Sequence, residues 1–295
     1  MQTGTFQSLG EALEGNIKAA LLYLDGKLTA TKATTPSHQT VAVAGWHEPE
    51  AIEAIAWYMV GQRALAIKVA LRIEAQVEDT AEDQAEIRKS VEQIVGSEAN
   101  PLSDQQKTDE RNPWMAEALW HLCLFLSKTN EAFRAAGEVV ALEEIHIGAK
   151  DHGPDVVALH REGSGFGVSI VETKAYKQNP NKAINDATEY FRAVDRGDHD
   201  LRLRQAVAHM RDALPAEVQN LISKSLWKAN RFYIPNPHYD ASEMMDWSNL
   251  RPSFKTLKVG AGRITIMPNA LPGFNAFFEG VGDRMRAIVK TMNYV

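Results

Sequence analysis

Two apolar runs, "DVVALH" (Asp155–His160) and "GVSIVETKAY" (Gly167–Tyr176), are separated by "REGSGFG". Strand-like runs with a glycine-rich join predict a β-hairpin, because glycine reaches positive φ at little cost. What flanks this hairpin decides the fold class. Before it, "WMAEALWHLCLFLSKTN" (Trp114–Asn130) is apolar on nearly every side and predicts a core helix, with Asn112 and Pro113 as its cap and first turn. "EVVALEEIHIG" (138–148) predicts a strand. After it, helices fit "NKAINDATEYFRAVDR" beyond Pro180, then roughly Leu201–Leu214 and Ala216–Lys228. "RFYIPN" and "RITIMPN" predict short strands, and a helix closes the chain from about Phe274 to Met292. This order describes an α/β fold, with a mixed sheet and helices on both faces.

Upstream, "VAVAGW" (Val41–Trp46) predicts a strand. A helix is expected from Pro49 to about Ile73, with Gly61 as a possible break. A polar helix follows over Asp79–Val95, with a narrow stripe of Ile87, Val91, Ile94 and Val95. "GSEANPLSDQQKTDERNP" (Gly96–Pro113) has the composition of a linker. The expected division is therefore an α+β, largely helical region over residues 1–105 and a second domain over 106–295.

A chain of 295 residues buries a sizeable core without cross-links. Its single cysteine, Cys123, excludes an internal disulfide framework and suits a reducing compartment. Cys123 lies between two leucines on the core helix, as a packing residue does. "MQTGTFQSLGEALEG" lacks a basic and then apolar leader pattern. "AIEAIAWYMVGQRALAIKVALRI" is broken by Glu53, Arg63 and Lys68, which makes it a poor membrane span. The expected address is cytoplasmic. The net charge of −6 argues against a histone-like coat of bases but leaves a local basic cleft open. Residues 196–231 hold seven Lys or Arg against four acids, whereas residues 47–110 hold fourteen acids against six bases.

Residues two apart on a strand share a face. Glu172 and Lys174 therefore project together, and the hairpin brings Asp155 beside Glu172. Two close carboxylates repel unless a cation lies between them, and Mg²⁺ takes one or two carboxylates plus waters and phosphate oxygens. Lys174 is then placed to orient a water or to balance charge on a phosphate.

Pro154–Asp155 followed by "ETK" (Glu172–Lys174) resembles the signature of the PD-(D/E)xK nuclease superfamily. The resemblance implies a restriction-endonuclease-like core and DNA phosphodiester hydrolysis with Mg²⁺ or Mn²⁺. It implies that Asp155 and Glu172 hold the metal, with the main-chain carbonyl of Thr173. Glu117, on the preceding core helix, stands where many members carry a further acid, and Lys174 positions the water. Lys177 and Lys182 lie just beyond as phosphate contacts. The chain departs from relatives that carry Gln and Tyr four apart on the next helix; the nearest match is Asp186, or Asn185, with Tyr190, so Tyr190 is read only as a DNA-facing residue. The series of the core helix, "GPDVVALH", "VETKAY" and "KAINDATEYF" also resembles the nuclease subunit of Hachiman-type anti-phage defence systems, which implies a helicase partner and a regulatory or partner-docking role for residues 1–105.

Each residue has a plainer reading. Glu172 and Lys174 make a same-face ion pair on a solvated strand. Glu117 is a buried carboxylate satisfied by a backbone amide or His121, and Asp155 is a turn residue. "GSGFG" is followed by a strand rather than a helix and is not a dinucleotide fingerprint. Histidines 146, 152 and 160 lack zinc-site spacing. Arg202, Arg204, Arg211, Lys224, Lys228 and Arg231 either track a phosphate backbone or form a solvated helix face. The alternative to a nuclease is a catalytically silent fold of the same kind that acts as a nucleic-acid-binding sensor or scaffold.

Overall fold

The computed structural model describes residues 9–72, 81–145 and 155–292. The chain opens with α1 (Leu9–Lys27), the hairpin β1 (Thr29–Thr34) and β2 (Gln39–Ala44), then α2 (Pro49–Arg72) and α3 (Ala81–Val95). A short α4 (Asp104–Gln106) leads through a π-turn over Lys107–Arg111 into α5 (Asn112–Leu126). Strands β3 (Glu138–Leu142), β4 (Val156–Glu162) and β5 (Gly165–Ala175) follow. Then come α6 (Pro180–Arg196), α7 (Asp200–Asp212), the single turns α8 (Ala216–Gln219) and α9 (Leu226–Ala229), and β6 (Arg231–Asp240). Strands β7 (Thr265–Ile266) and β8 (Asn269–Leu271) precede α10 (Phe274–Thr291).

The strands form one mixed sheet in the order β1-β2-β8-β6-β5-β4-β3, with β7 also against β2. The expected hairpin is present: β4 and β5 pair antiparallel from Val156↔Val171 to Glu162↔Gly165. Only Gly163 and Ser164 remain for the turn, and Gly163 takes the positive φ (56°) that such a turn requires. β6 lies parallel to β5 and carries two prolines, Pro235 and Pro237, in the interior of the sheet. A residue's N–H and C=O point to the same neighbouring strand, and the Pro235 carbonyl accepts from Met267 N–H at 3.1 Å. The missing proline donors therefore face the break between β7 and β8, where no ladder bond is lost.

Side-chain alternation splits the core in two. Val156, Ala158, Val171 and Ile234 pack with α1, α2, α3, α5 and α10 on one face. Val157, Leu159, Ile170 and Tyr233 pack with α6 and α7 on the other. α6 starts sharply because the Asn179 side chain accepts from Lys182 N–H and Pro180 fills the first turn; it ends at Gly197 (φ 93°).

Several expectations are corrected. Residues 104–113 are helical rather than linker. Ser103 and Gln106 form a reciprocal capping box, and the π-turn lets the helix run on through Pro113. Gly61 does not break α2; a Cβ there would lie 2.3 Å from Ile17 Cδ1, so the glycine lets α1 and α2 approach. The helix expected over 216–228 is two single turns, and of the strand expected over 138–148 the described residues form β3 over Glu138–Leu142, with residues 146–148 outside them. One sheet and one core run across residue 105: β2 pairs with β7 and β8, and α1, α2 and α3 pack with α5 and α10. Among the described residues, no helix is long and apolar enough to cross a membrane.

Candidate active site

The register that pairs Val156 with Val171 sets Asp155, one residue earlier, opposite Glu172. Glu172 and Lys174 share the α6 face and form an ion pair, with Nζ 2.5 Å from Oε1. The pair is no solvated surface bridge: the Glu172 side chain is 6% exposed and that of Lys174 26%. The Asp155 carboxylate accepts from Thr173 N–H at 2.5 Å, so Asp155 is held at the end of β4 rather than left in a free turn. Because N–H and C=O of one strand residue point the same way, the Thr173 carbonyl faces this side too. Its side chain turns to the opposite face, where Oγ1 donates to Asn236 Oδ1 at 3.3 Å.

Charge accumulates here. Burial, then the Asp155 carboxylate, pushes the Glu172 carboxyl well above the usual carboxylate range, against the pull of Lys174; Glu117 adds to the rise. Burial works against the Lys174 ammonium, but Glu172 and Asp155 overcome it and hold the group up at about 12. Asp155 also faces Lys174, so the ammonium keeps a partner charge whichever state Glu172 adopts. Among the described residues, the second Glu172 oxygen, Oε2, is buried with no hydrogen-bond partner, and so is the Tyr190 hydroxyl. Burial, then Glu172 and Asp155, raises Tyr190 far above an ordinary phenol, which puts the ring beside the carboxylates.

The other expected residues are placed unequally. Glu117 is buried on α5. α5 packs on the Val171 face, and the Glu117 charge still contributes to the raised pKa of Glu172. Among the described residues, no three His, Cys, Asp or Glu side chains are grouped closely enough to hold a metal ion. His121 does not satisfy Glu117 with a ring nitrogen: Nε2 donates to the Glu143 carbonyl (3.0 Å), and Nδ1 faces the Tyr58 hydroxyl (2.5 Å). Lys177 is exposed. Lys182 is held by Asp186 at 2.5 Å over the Tyr176 ring, and Tyr176 donates to the same carboxylate. Pro154, His146 and His152 lie outside the described residues. His160 is a packing residue, bonded through Nδ1 to Ser169 Oγ at 3.1 Å, and burial pulls its pKa to about 4.

Sequence reasoning missed Glu143 and its pairing with Arg202, a residue read only as one of a basic series. Their ion pair (3.0 Å) sits beside Tyr190, and Glu143 N–H donates to the Val157 carbonyl at the same end of the sheet. The only signal was the pair of acids closing "EVVALEE". Cys123 is fully buried, and its thiol is pushed far from ionisation, as packing requires.

No protein-family model matches the sequence, and no curated protein matches it.

Proposed function

We propose that the chain is a metal-dependent nuclease with a restriction-endonuclease-like core that hydrolyses DNA phosphodiester bonds. One observation carries this reading: a buried glutamate lies opposite a second acid, one of its oxygens on a lysine and the other with no hydrogen-bond partner among the described residues. A carboxylate oxygen left bare in the interior costs free energy unless something binds it. The donor set is all oxygen and suits Mg²⁺ or Mn²⁺. Asp155 and Glu172 would hold the ion with the Thr173 carbonyl, and Glu117 supports them from across the strand. Such an ion, when bound, neutralises charge on the scissile phosphate and lowers the pKa of a water.

The protein's own residues supply the rest. The Thr173 amide fixes Asp155. Lys174, protonated throughout the neutral range, leaves Glu172 for a phosphate oxygen or the attacking water. The Tyr190 hydroxyl offers a donor from the α6 side, and Lys177 meets the backbone beyond β5. DNA as substrate, and a helicase as partner in anti-phage defence, rest on the resemblance alone.

A second reading has its own observation. Lys174 already balances Glu172, and no compact three-acid group is present among the described residues. That arrangement suits a silent fold acting as a nucleic-acid sensor or scaffold. Plasmid degradation with Mg²⁺ separates the two. Glu172→Ala and Lys174→Ala should each lose at least ~100-fold, the scale of a positioned catalytic group. Equal rates in all three proteins would end the assignment. Absence of cleavage, together with no rise in Tm on adding Mg²⁺ or Mn²⁺, would favour the scaffold.

A further inference from the structure

A cleft of about 560 Å³ opens where the first turn of α7 meets the Ser223–Lys228 segment. It is unlike the rest of an acidic chain. Arg204, Lys224 and Lys228 line it against one carboxylate, Asp200. Asp200 is already engaged: Lys228 Nζ lies 2.5 Å from Oδ2, and Trp227 Nε1 donates to Oδ1 at 3.3 Å. The remaining two cations, Arg204 and Lys224, are exposed and make no ion pair among the described residues. The other bases of this stretch differ. Arg202 is held by Glu143, Arg231 by Asp195, and Arg211 by the Gln219 and Ile222 carbonyls. Of the basic series in the sequence, the structure thus leaves two members free, and both line the same cleft.

We propose that this cleft is a second nucleic-acid contact, which holds the sugar–phosphate backbone of a polynucleotide away from the Glu172 cluster. The identity of the occupant rests on the nuclease reading; the anionic character rests on the cleft itself. Free guanidinium and ammonium groups give phosphate the charge-assisted partners it takes most strongly. The hydroxyls of Ser223 and Ser225, 3.1 Å apart, add neutral partners. Leu201, 71% exposed on the rim, offers an apolar surface to a sugar or base edge. The lining is mostly solvent-exposed. A small ligand is usually enclosed over most of its surface, whereas a polymer needs an open cleft through which it enters and leaves along its length.

The test is binding of a short fluorescein-labelled DNA duplex in EDTA, read by anisotropy across a salt series. EDTA removes divalent ions and therefore cleavage. Each lost phosphate contact lowers the log–log salt slope by about 0.9. Arg204→Gln with Lys224→Gln should weaken binding at least ~10-fold in low salt and flatten the slope by about 1 to 2. Arg204→Lys with Lys224→Arg should keep the slope near that of the wild type. Lys18→Gln with Lys89→Gln, exposed lysines on α1 and α3, should change neither. Slopes equal to wild type in the double glutamine variant would overturn the proposal. So would retention of a labelled polyglutamate, lost in that variant, by a protein that binds no DNA. The binding and cleavage readings fail separately. A wild type that never cuts, yet loses salt slope in the variant, keeps the cleft and sinks the nuclease. One that cuts and shows equal slopes does the reverse.

Discussion

At the scale of the residue, Glu172 is where stability and function oppose each other. Its folded pKa stands above the unfolded value because burial, and then Asp155, disfavour the anion. A carboxyl of this kind binds its proton more tightly in the folded chain. The stabilisation it offers is full below the ordinary carboxylate value, near 4.3, and is lost as pH rises through the folded value. Glu172→Gln removes the titration while keeping the shape, and Asp155 still faces Lys174. Without divalent ions, the variant should match the wild-type Tm near pH 4.5 and exceed it by several degrees at pH 9. With Mg²⁺ at pH 9 the order should reverse, because only the wild type gains from binding. Thermal melts across pH, with and without the ion, read both effects. A variant that melts below the wild type at pH 9 in EDTA would show that pairing with Lys174 outweighs burial.

At the scale of the element, the β4–β5 hairpin places the acids, and its geometry depends on the absence of a side chain at Gly167. His160 faces Gly167 across the ladder, and a Cβ there would lie 2.4 Å from His160 Nε2. The ring cannot swing clear: it packs edge-on to Phe232 with centroids 4.7 Å apart, and its Nδ1 is bonded to Ser169. Gly167→Ala should therefore cost about 1–3 kcal/mol, the range for overpacking a filled site. Urea denaturation reads it, and an unchanged midpoint would show that His160 has room to move. This hairpin was legible in the sequence because its signals are local: Val and Ile runs with glycine between them. α6 was legible for the same reason, from Pro180 and the polar–apolar rhythm after it. The start of the helix leading into α5 was equally local, since Ser103 and Gln106 spell a capping box, yet the polar composition around them hid it. The pairing of β2 with β8 was not legible at all, because some 225 residues separate partners that only the closed sheet brings together. Glu143 and Arg202 are hidden in the same way. Nothing in their neighbourhoods says that they meet beside Tyr190.

At the scale of the whole molecule, the question is whether the first hundred residues are an appendage. One hydrophobic core joins Leu24 of α1, Ile55 and Met59 of α2, and Ile87 of α3 to Trp120 of α5 and Phe278 of α10. Polar contacts cross the same seam. Arg286 on α10 donates to the Val95 carbonyl at 2.5 Å, and Lys290 pairs with Glu98. A chain shortened to residues 106–295 would keep Asp155, Glu172 and Lys174. It would bare the inner faces of α5 and α10, and it would strip β8 of its neighbour β2. Buried apolar area stabilises by roughly 25 cal/mol per Å², while a domain's net stability is only about 5–15 kcal/mol. Losing several fully buried side chains on that seam exceeds this margin. The full chain should thus unfold in one cooperative step, with coincident midpoints by far-UV circular dichroism and tryptophan fluorescence. The shortened chain should bind a hydrophobic dye and melt without a transition. Two separated transitions in the full chain, or a sharp melt of residues 106–295 alone, would support the boundary at residue 105 and free the N-terminal region to act as a detachable regulator.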